Sequence, residues 1–118
     1  MTIHHFHLAD EPFQAIADGR KTIETRLYEE KRQKINVGDE LVFAQSNGTY
    51  EIHATVTELL RADSFQELFS SNDATLFGKD SIKELLDQIY TFYSVEDEEH
   101  YGVVGIRFAV KERVILKP

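Results

Sequence analysis

The sequence contains no cysteine among its 118 residues. Its absence excludes disulfides, thiolate nucleophiles and cysteine-based zinc or iron–sulfur sites within this sequence. Only two prolines occur, Pro12 and Pro118, and no stretch rich in glycine and serine interrupts the chain. Because no linker and no internal repeat divides the sequence, we predict one domain over residues 1–118.

Long apolar runs are also missing. None approaches the roughly 18 residues that a transmembrane helix needs. Residues 1–5 lack the basic region and the apolar stretch that begin a signal peptide. Together with the absence of cysteine, these features predict a cytoplasmic protein without a membrane partner.

Positive charge is scarce, with 13 Lys and Arg against 21 Asp and Glu, a formal charge of −8. Nonspecific nucleic-acid binders are more often basic, so the composition disfavours general phosphate binding. Residues 20–34 differ, because their six basic and three acidic residues give +3 and leave −11 for the rest of the chain. Such a positive island can attract a phosphate or a nucleotide, although a mixed-charge connector would show the same composition.

The spacing of apolar residues predicts short strands mixed with helices. Strands are predicted at residues 3–8, 22–27, 41–43, 50–60 and 101–110, with a hairpin turn at Asn47-Gly48. Helices are predicted from Asp10 to Gly19, after the cap Ser64, and from Asp80 or Ser81 to Tyr90. Residues 29–34 read as a charged connector and residues 96–99 as an acidic loop. The pattern predicts an α+β fold built as a small β-barrel with flanking helices.

The densest group of charged side chains is Lys21, Glu24 and Arg26. Residues two apart share one face of a strand, so Glu24 and Arg26 lie together, and Lys21 joins them only if the strand begins after a bend. Two cations beside one carboxylate can orient an anionic or amide-bearing ligand, and Lys21 can also act as a base. The simpler alternative is a solvated strand face that carries an ordinary Glu24–Arg26 ion pair.

Three further patterns allow a functional interpretation. Among His4, His5 and His7, the last two share a strand face as in some zinc sites, but neither His53 nor His100 is an evident third ligand and no metal site is predicted. The acidic residues 96–99 can bind a cation or a basic partner, or form a solvated loop. Aromatic residues near the end of the last helix can stack on a base or belong to the core; they are Tyr90, Phe92, Tyr93 and Tyr101.

The motif G-x-K-x-x-E-x-R falls on Gly19, Lys21, Glu24 and Arg26, and the sequence here resembles the ASCH domain family of the PUA-like superfamily. Further matching segments span nearly the whole chain: residues 7–8, 31–35, 37–39, 64–65 and 101–106. The resemblance implies a PUA-like β-barrel with a cleft where the motif residues meet, and binding of RNA. One branch resembles amidohydrolases that deacylate N4-acetylcytidine with a Lys, a Thr and a Glu, and another is ribonuclease-like. Lys21 matches that Lys, but Glu24 stands where the Thr would be.

We therefore predict binding of RNA or a nucleotide-like ligand in a cleft formed by Lys21, Glu24 and Arg26. Arg32 would reinforce the positive field, and Tyr93 and Tyr101 would lie at the rim. Two alternatives remain open. The first is an enzyme, an amidohydrolase or ribonuclease-like protein, with Lys21 and Glu24 as catalytic residues. The second is a protein-interaction module whose acidic loop binds a basic partner. Neither a cofactor nor a metal is predicted, and the oligomeric state is left open.

Overall fold

The computed structural model describes residues 1–115, so the last three residues of the predicted domain, 116–118, lie outside the described part. The first half of the chain contains β1 (Ile3–Leu8), α1 (Asp10–Ala17), β2 (Ile23–Leu27), α2 (Glu30–Gln33), β3 (Glu40–Gln45) and β4 (Tyr50–Ala62). The second half contains α3 (Phe65–Ser70), a 3-10 turn (Ala74–Leu76), α4 (Ile82–Ile89), α5 (Val95–Tyr101) and β5 (Val103–Ile115). The predicted caps Ser64 and Ser81 are confirmed, since their side chains accept hydrogen bonds from the backbone N–H of Glu67 and Glu84.

The five strands form one sheet in the order β1-β3-β4-β5-β2. All neighbouring strands are antiparallel except β1 and β3, which are parallel. Strands β1 and β2 are the two edges, and within residues 1–115 they do not pair with each other. The structure is therefore a mixed α+β fold with an open five-stranded sheet, and closure into the predicted barrel is not confirmed.

An apolar layer covers each face of the sheet. On one face the rings of Phe6, Phe43 and Phe108 are in contact, with centroid distances of 5.6 and 5.0 Å. On the other face, helices α3 and α4 pack through Phe65, Phe69 and their neighbours. Strand β5 separates the layers because alternate residues point to opposite faces, so this strand is central and buried in its first half.

A β-bulge interrupts the long strand β4. The register with β5 shifts between Val56 and Glu58, so that Thr57 is an extra residue relative to the partner strand. Before the bulge, even-numbered residues such as Val56 face the Phe43 layer, whereas after it the odd-numbered Leu59 faces that layer. The bulge therefore reverses which residues of β4 point to each face, an effect that the predicted single regular strand did not include.

Several predicted boundaries are corrected by the structure. The acidic residues 96–99 form part of helix α5 rather than a loop, because Ser94 caps the helix and acidic side chains are favourable in its first turn. Tyr101 ends this helix instead of beginning the last strand. Val110, predicted to be apolar core, is 46% exposed and belongs to neither apolar layer. Asp10 is the first residue of α1 and not its cap.

No helix of the described residues is both long enough and apolar enough to cross a membrane.

Candidate functional site

A cleft of about 520 Å³ opens beside the edge strand β2. The end of β1 and the start of α1 form one wall, and the end of α4 with the residues that follow it forms the other. Lys21, Glu24 and Arg26 all line this cleft. The volume lies within the range typical of small-ligand pockets, roughly 300 to 1,000 Å³.

Glu24 lies between the two cations of the motif and is only 4% exposed. Its Oε1 accepts hydrogen bonds from Lys21 Nζ at 2.9 Å and from the backbone N–H of Thr25 at 3.0 Å. Its Oε2 accepts one from Arg26 Nη2 at 3.1 Å. The predicted convergence of these three side chains is therefore present in the structure.

Local backbone geometry explains how Lys21 reaches Glu24. Gly19 has a φ of 79°, a left-handed conformation that glycine adopts easily, and it ends the turn after α1. Lys21 then forms an isolated bridge with Phe77 before β2 begins at Ile23. Lys21 therefore precedes the regular alternation of β2. This is the bend that the sequence analysis required if Lys21 was to lie beside Glu24 and Arg26.

The charges around Glu24 determine its ionisation. Burial acts to raise the pKa of Glu24, but the Lys21 ammonium and the Arg26 guanidinium outweigh burial and hold the pKa at about 2. Burial also acts to lower the pKa of Arg26, while the Glu24 carboxylate and the nearby Tyr93 phenol raise it overall. At neutral pH the group is therefore one carboxylate held by two cations, and Glu24 carries no proton to donate.

Arg32 lies next to this cluster and not in the lining of the cleft. Its guanidinium carbon is 4.6 Å from the centroid of the Phe6 ring, and that of Arg26 is 4.7 Å from the same centroid. Phe6 belongs to β1 and Arg26 to β2. Side chains therefore span the space between the two edge strands where backbone pairing is absent.

The two predicted rim tyrosines have different positions. Tyr93 lines the cleft, and its ring stacks on Phe65 with centroids 5.8 Å apart. Tyr101 is not among the residues that line the cleft. It ends helix α5, and the centroid of its ring lies 4.5 Å from the centroid of the His100 ring. Phe92 lines the cleft with 72% of its surface exposed, although the sequence had placed it only in a general aromatic group.

Comparison with known proteins identifies the family. The model of the ASCH domain matches residues 6–112. The chain belongs to the ASCH domain family. The fold of this ASCH domain is shared by the crystal structure of the hypothetical protein PH0355, with 30% identity, a TM-score of 0.83 and coverage of 93% of this chain and 100% of that chain. No curated protein matches the sequence significantly.

Two further structures share the fold of this chain. Protein PF0455 from Pyrococcus furiosus is 31% identical, with a TM-score of 0.73 and coverage of 94% of this chain and 99% of that chain. The ASCH protein from Zymomonas mobilis is 15% identical, with a TM-score of 0.55 and coverage of 98% of this chain and 74% of that chain, so that likeness shows the fold alone.

The histidines of this ASCH domain do not assemble into a metal centre within residues 1–115, where no group of three or more potential ligands is placed to hold an ion. His4 Nε2 lies 2.9 Å from an oxygen of Asp39, and His53 Nε2 lies 3.0 Å from an oxygen of Glu51. His7 lines the cleft as a single histidine. His53 also lies 3.5 Å from an oxygen of Glu112 through Nδ1, so it contacts two carboxylates.

Proposed function

We propose that this ASCH domain binds a single-stranded RNA segment or a nucleotide-like ligand in the cleft around Lys21, Glu24 and Arg26. The observation that carries the proposal is the buried Glu24 carboxylate, which fixes both cations at the cleft. The ASCH family is generally thought to bind RNA, which agrees with this interpretation. A PUA-like barrel architecture and a cytoplasmic location are further parts of the proposal.

The hydrogen-bond donors of the two cations support ligand binding. An ammonium group has three N–H donors and a guanidinium has five, whereas Glu24 accepts only one from each side chain. The remaining donors can bind phosphate or carbonyl oxygens of a ligand. Because Glu24 holds both cations in place, less side-chain entropy is lost when they bind.

The opposite wall of the cleft suits a base. Phe92 and Tyr93 follow helix α4 and present aromatic surface to the cleft. Stacking of a base on an aromatic side chain contributes about 1 to 3 kcal/mol and tolerates different bases. A ligand with one planar ring and one anionic group therefore matches both walls.

Hydrolysis is the second candidate function. Thr25, which follows Lys21 by four residues, supplies a hydroxyl-bearing side chain to the lining. The state of Glu24 disfavours the proton transfer that the catalytic alternative assigns to it, since its pKa is about 2 and both its oxygens accept hydrogen bonds. An enzyme would therefore need Lys21 to act with a different partner.

The test combines binding and turnover. Short single-stranded RNA and cytidine are titrated into wild type, Lys21→Ala and Arg26→Ala, with Lys83→Ala as control because Lys83 pairs with Asp87 on the exposed side of α4. Each cleft variant should lose about 1 to 3 kcal/mol of binding free energy, the range for a charge-assisted hydrogen bond. The RNA arm should weaken steeply with added salt.

Two results would reject the proposal. One is equal weakening by Lys83→Ala and Lys21→Ala, which would show general electrostatic attraction. The other is release of cytidine from N4-acetylcytidine by wild type and its loss in Lys21→Ala, which would establish the amidohydrolase instead. Absence of both binding and turnover would favour the protein-interaction alternative, for which Glu96, Asp97 and Glu99 are exposed on α5.

A further inference from the structure

Two arginines share one aromatic ring beside the cleft. The guanidinium carbons of Arg26 and Arg32 lie 4.7 and 4.6 Å from the centroid of Phe6. The ring itself is 2% exposed. An aromatic face attracts a cation but does not neutralise its charge, so two like charges remain close together at this point.

The Glu24 carboxylate compensates only part of the positive charge in this region. Glu24 forms ion pairs with both Lys21 and Arg26, so its single negative charge is already shared between two cations. Within residues 1–115, Nε of Arg32 is buried and has no hydrogen-bond partner. A buried N–H without a partner costs roughly 1 to 3 kcal/mol, which a ligand oxygen would recover once the Arg32 side chain turns to expose this N–H.

Electrostatics agree with the geometry. Burial and the adjacent Arg26 lower the pKa of Arg32, while Tyr93, Glu29 and Glu24 act in the opposite direction. The group keeps its proton at neutral pH, since a guanidinium is not deprotonated in proteins. An anion placed between the two guanidinium groups would relieve their repulsion and occupy the free donor.

We infer that Arg26 and Arg32 form a subsite for the phosphate group of the ligand. This inference rests on the proposed function, because Arg26 connects the subsite to the cleft. Paired guanidinium groups present N–H donors in a planar geometry that matches phosphate oxygens. Tyr93, which lines the cleft, is near enough to both arginines to favour a higher pKa of each. A phosphorylated nucleotide should therefore bind better than the corresponding nucleoside.

Inorganic phosphate is the first probe, because it needs no knowledge of the base. Nitrogen-15 NMR follows the Nε–Hε signals of the arginines while phosphate is added to wild type, Arg32→Gln, Arg32→Lys and Arg61→Gln. Arg61 is the matched control, since its guanidinium carbon also lies over an aromatic ring, 3.3 Å from the centroid of Tyr28. Arg61 does not line the cleft.

The signals of Arg26 and Arg32 should shift with one common dissociation constant, while that of Arg61 stays in place. Arg32→Gln should weaken the phosphate response at Arg26 by about tenfold or more, the loss expected for one charge-assisted hydrogen bond. Arg32→Lys should recover part of the phosphate response at Arg26, because an ammonium group keeps the positive charge but lacks the planar guanidinium donors that match phosphate oxygens. Arg61→Gln should change nothing.

Equal shifts at Arg61 and Arg32, or an Arg26 response unaffected by Arg32→Gln, would overturn the subsite. If Arg32 only covers Phe6, Arg32→Gln will lower the melting temperature without changing the phosphate response. This result too would overturn the subsite. Cytidine, its 5′-monophosphate and a dinucleoside monophosphate form the second arm, which separates a terminal phosphate from a backbone diester. If the response to inorganic phosphate is as predicted but none of these nucleotides and no RNA binds, the subsite stands and the proposed function fails.

Discussion

Replacing Glu24 by glutamine tests whether the charge of the buried carboxylate, rather than its shape, stabilises the cleft. Burial acts against ionisation of Glu24, but Lys21 and Arg26 hold its pKa at about 2, below the ordinary value of 4.5. The unfolded chain therefore takes up this proton at a higher pH than the folded protein. The stabilisation is fully present above about pH 4.5 and is lost as pH falls towards about 2.

The magnitude follows from the size of the pKa shift. A fall from 4.5 to about 2 corresponds to about 3 kcal/mol of unfolding free energy, at roughly 1.4 kcal/mol for each pKa unit. Glutamine cannot provide this contribution at any pH, and it leaves the ammonium of Lys21 and the guanidinium of Arg26 without their carboxylate. The difference in stability between wild type and Glu24→Gln should therefore be about 3 kcal/mol larger at neutral pH than near pH 2.

Urea unfolding followed by circular dichroism measures this difference, which suits a chain without tryptophan. Glu58→Gln is the control, since Glu58 is half-exposed and its pair with Arg107 spans 3.6 Å, so its effect should be below about 1 kcal/mol. Asp39, whose pKa is also held low by His4 and by backbone N–H groups, titrates in all three proteins and cancels in the comparison. A gap between wild type and Glu24→Gln that is the same at both pH values would refute the reasoning.

Two core substitutions complete the predictions. Phe108→Ala should lower the free energy of unfolding by about 3 kcal/mol or more, because the ring is 5% exposed and packs on Phe43; a loss well under about 1 kcal/mol in urea unfolding would contradict this. Gly105→Ala should cost about 1 to 3 kcal/mol, since its Cβ would meet Ile23 Cγ2 at 3.1 Å and Leu68 Cδ1 at 3.2 Å; an unchanged melting temperature would show that the two side chains move aside freely.

The sequence was most informative where structure is local. The turn at Gly19 and the short spacing from Lys21 to Arg26 were enough to predict that the three charges could meet after a bend. The serine caps could also be predicted from the sequence, because a capping side chain and the backbone N–H that it accepts from lie within three residues of each other. That the chain binds in this cleft stays a prediction.

The features that the sequence did not reveal depend on distant residues. Helix α5 was mistaken for a loop because its one buried side chain is Glu98, not an apolar residue. Its carboxylate accepts hydrogen bonds from the backbone N–H of Phe65 at 2.6 Å and from the hydroxyl of Tyr90 at 2.9 Å, and no local pattern shows these contacts. The position of Phe92 at the cleft likewise follows from how α4 packs, and the open edges of the sheet follow from strand pairing over long separations.

The bulge at Thr57 is a point in β4 where the fold should tolerate both a change of residue type and the loss of one residue. Thr57 is exposed, so many side chains would fit there. In β5 no residue pairs with Thr57, so its deletion would leave Val56 opposite Phe108 and Leu59 opposite Ile106, and Leu59 would stay in the Phe43 layer. During divergence of this domain, loss of this one residue is therefore expected to straighten β4 without changing the faces of the later positions, whereas loss of a paired residue elsewhere in β4 would exchange those faces.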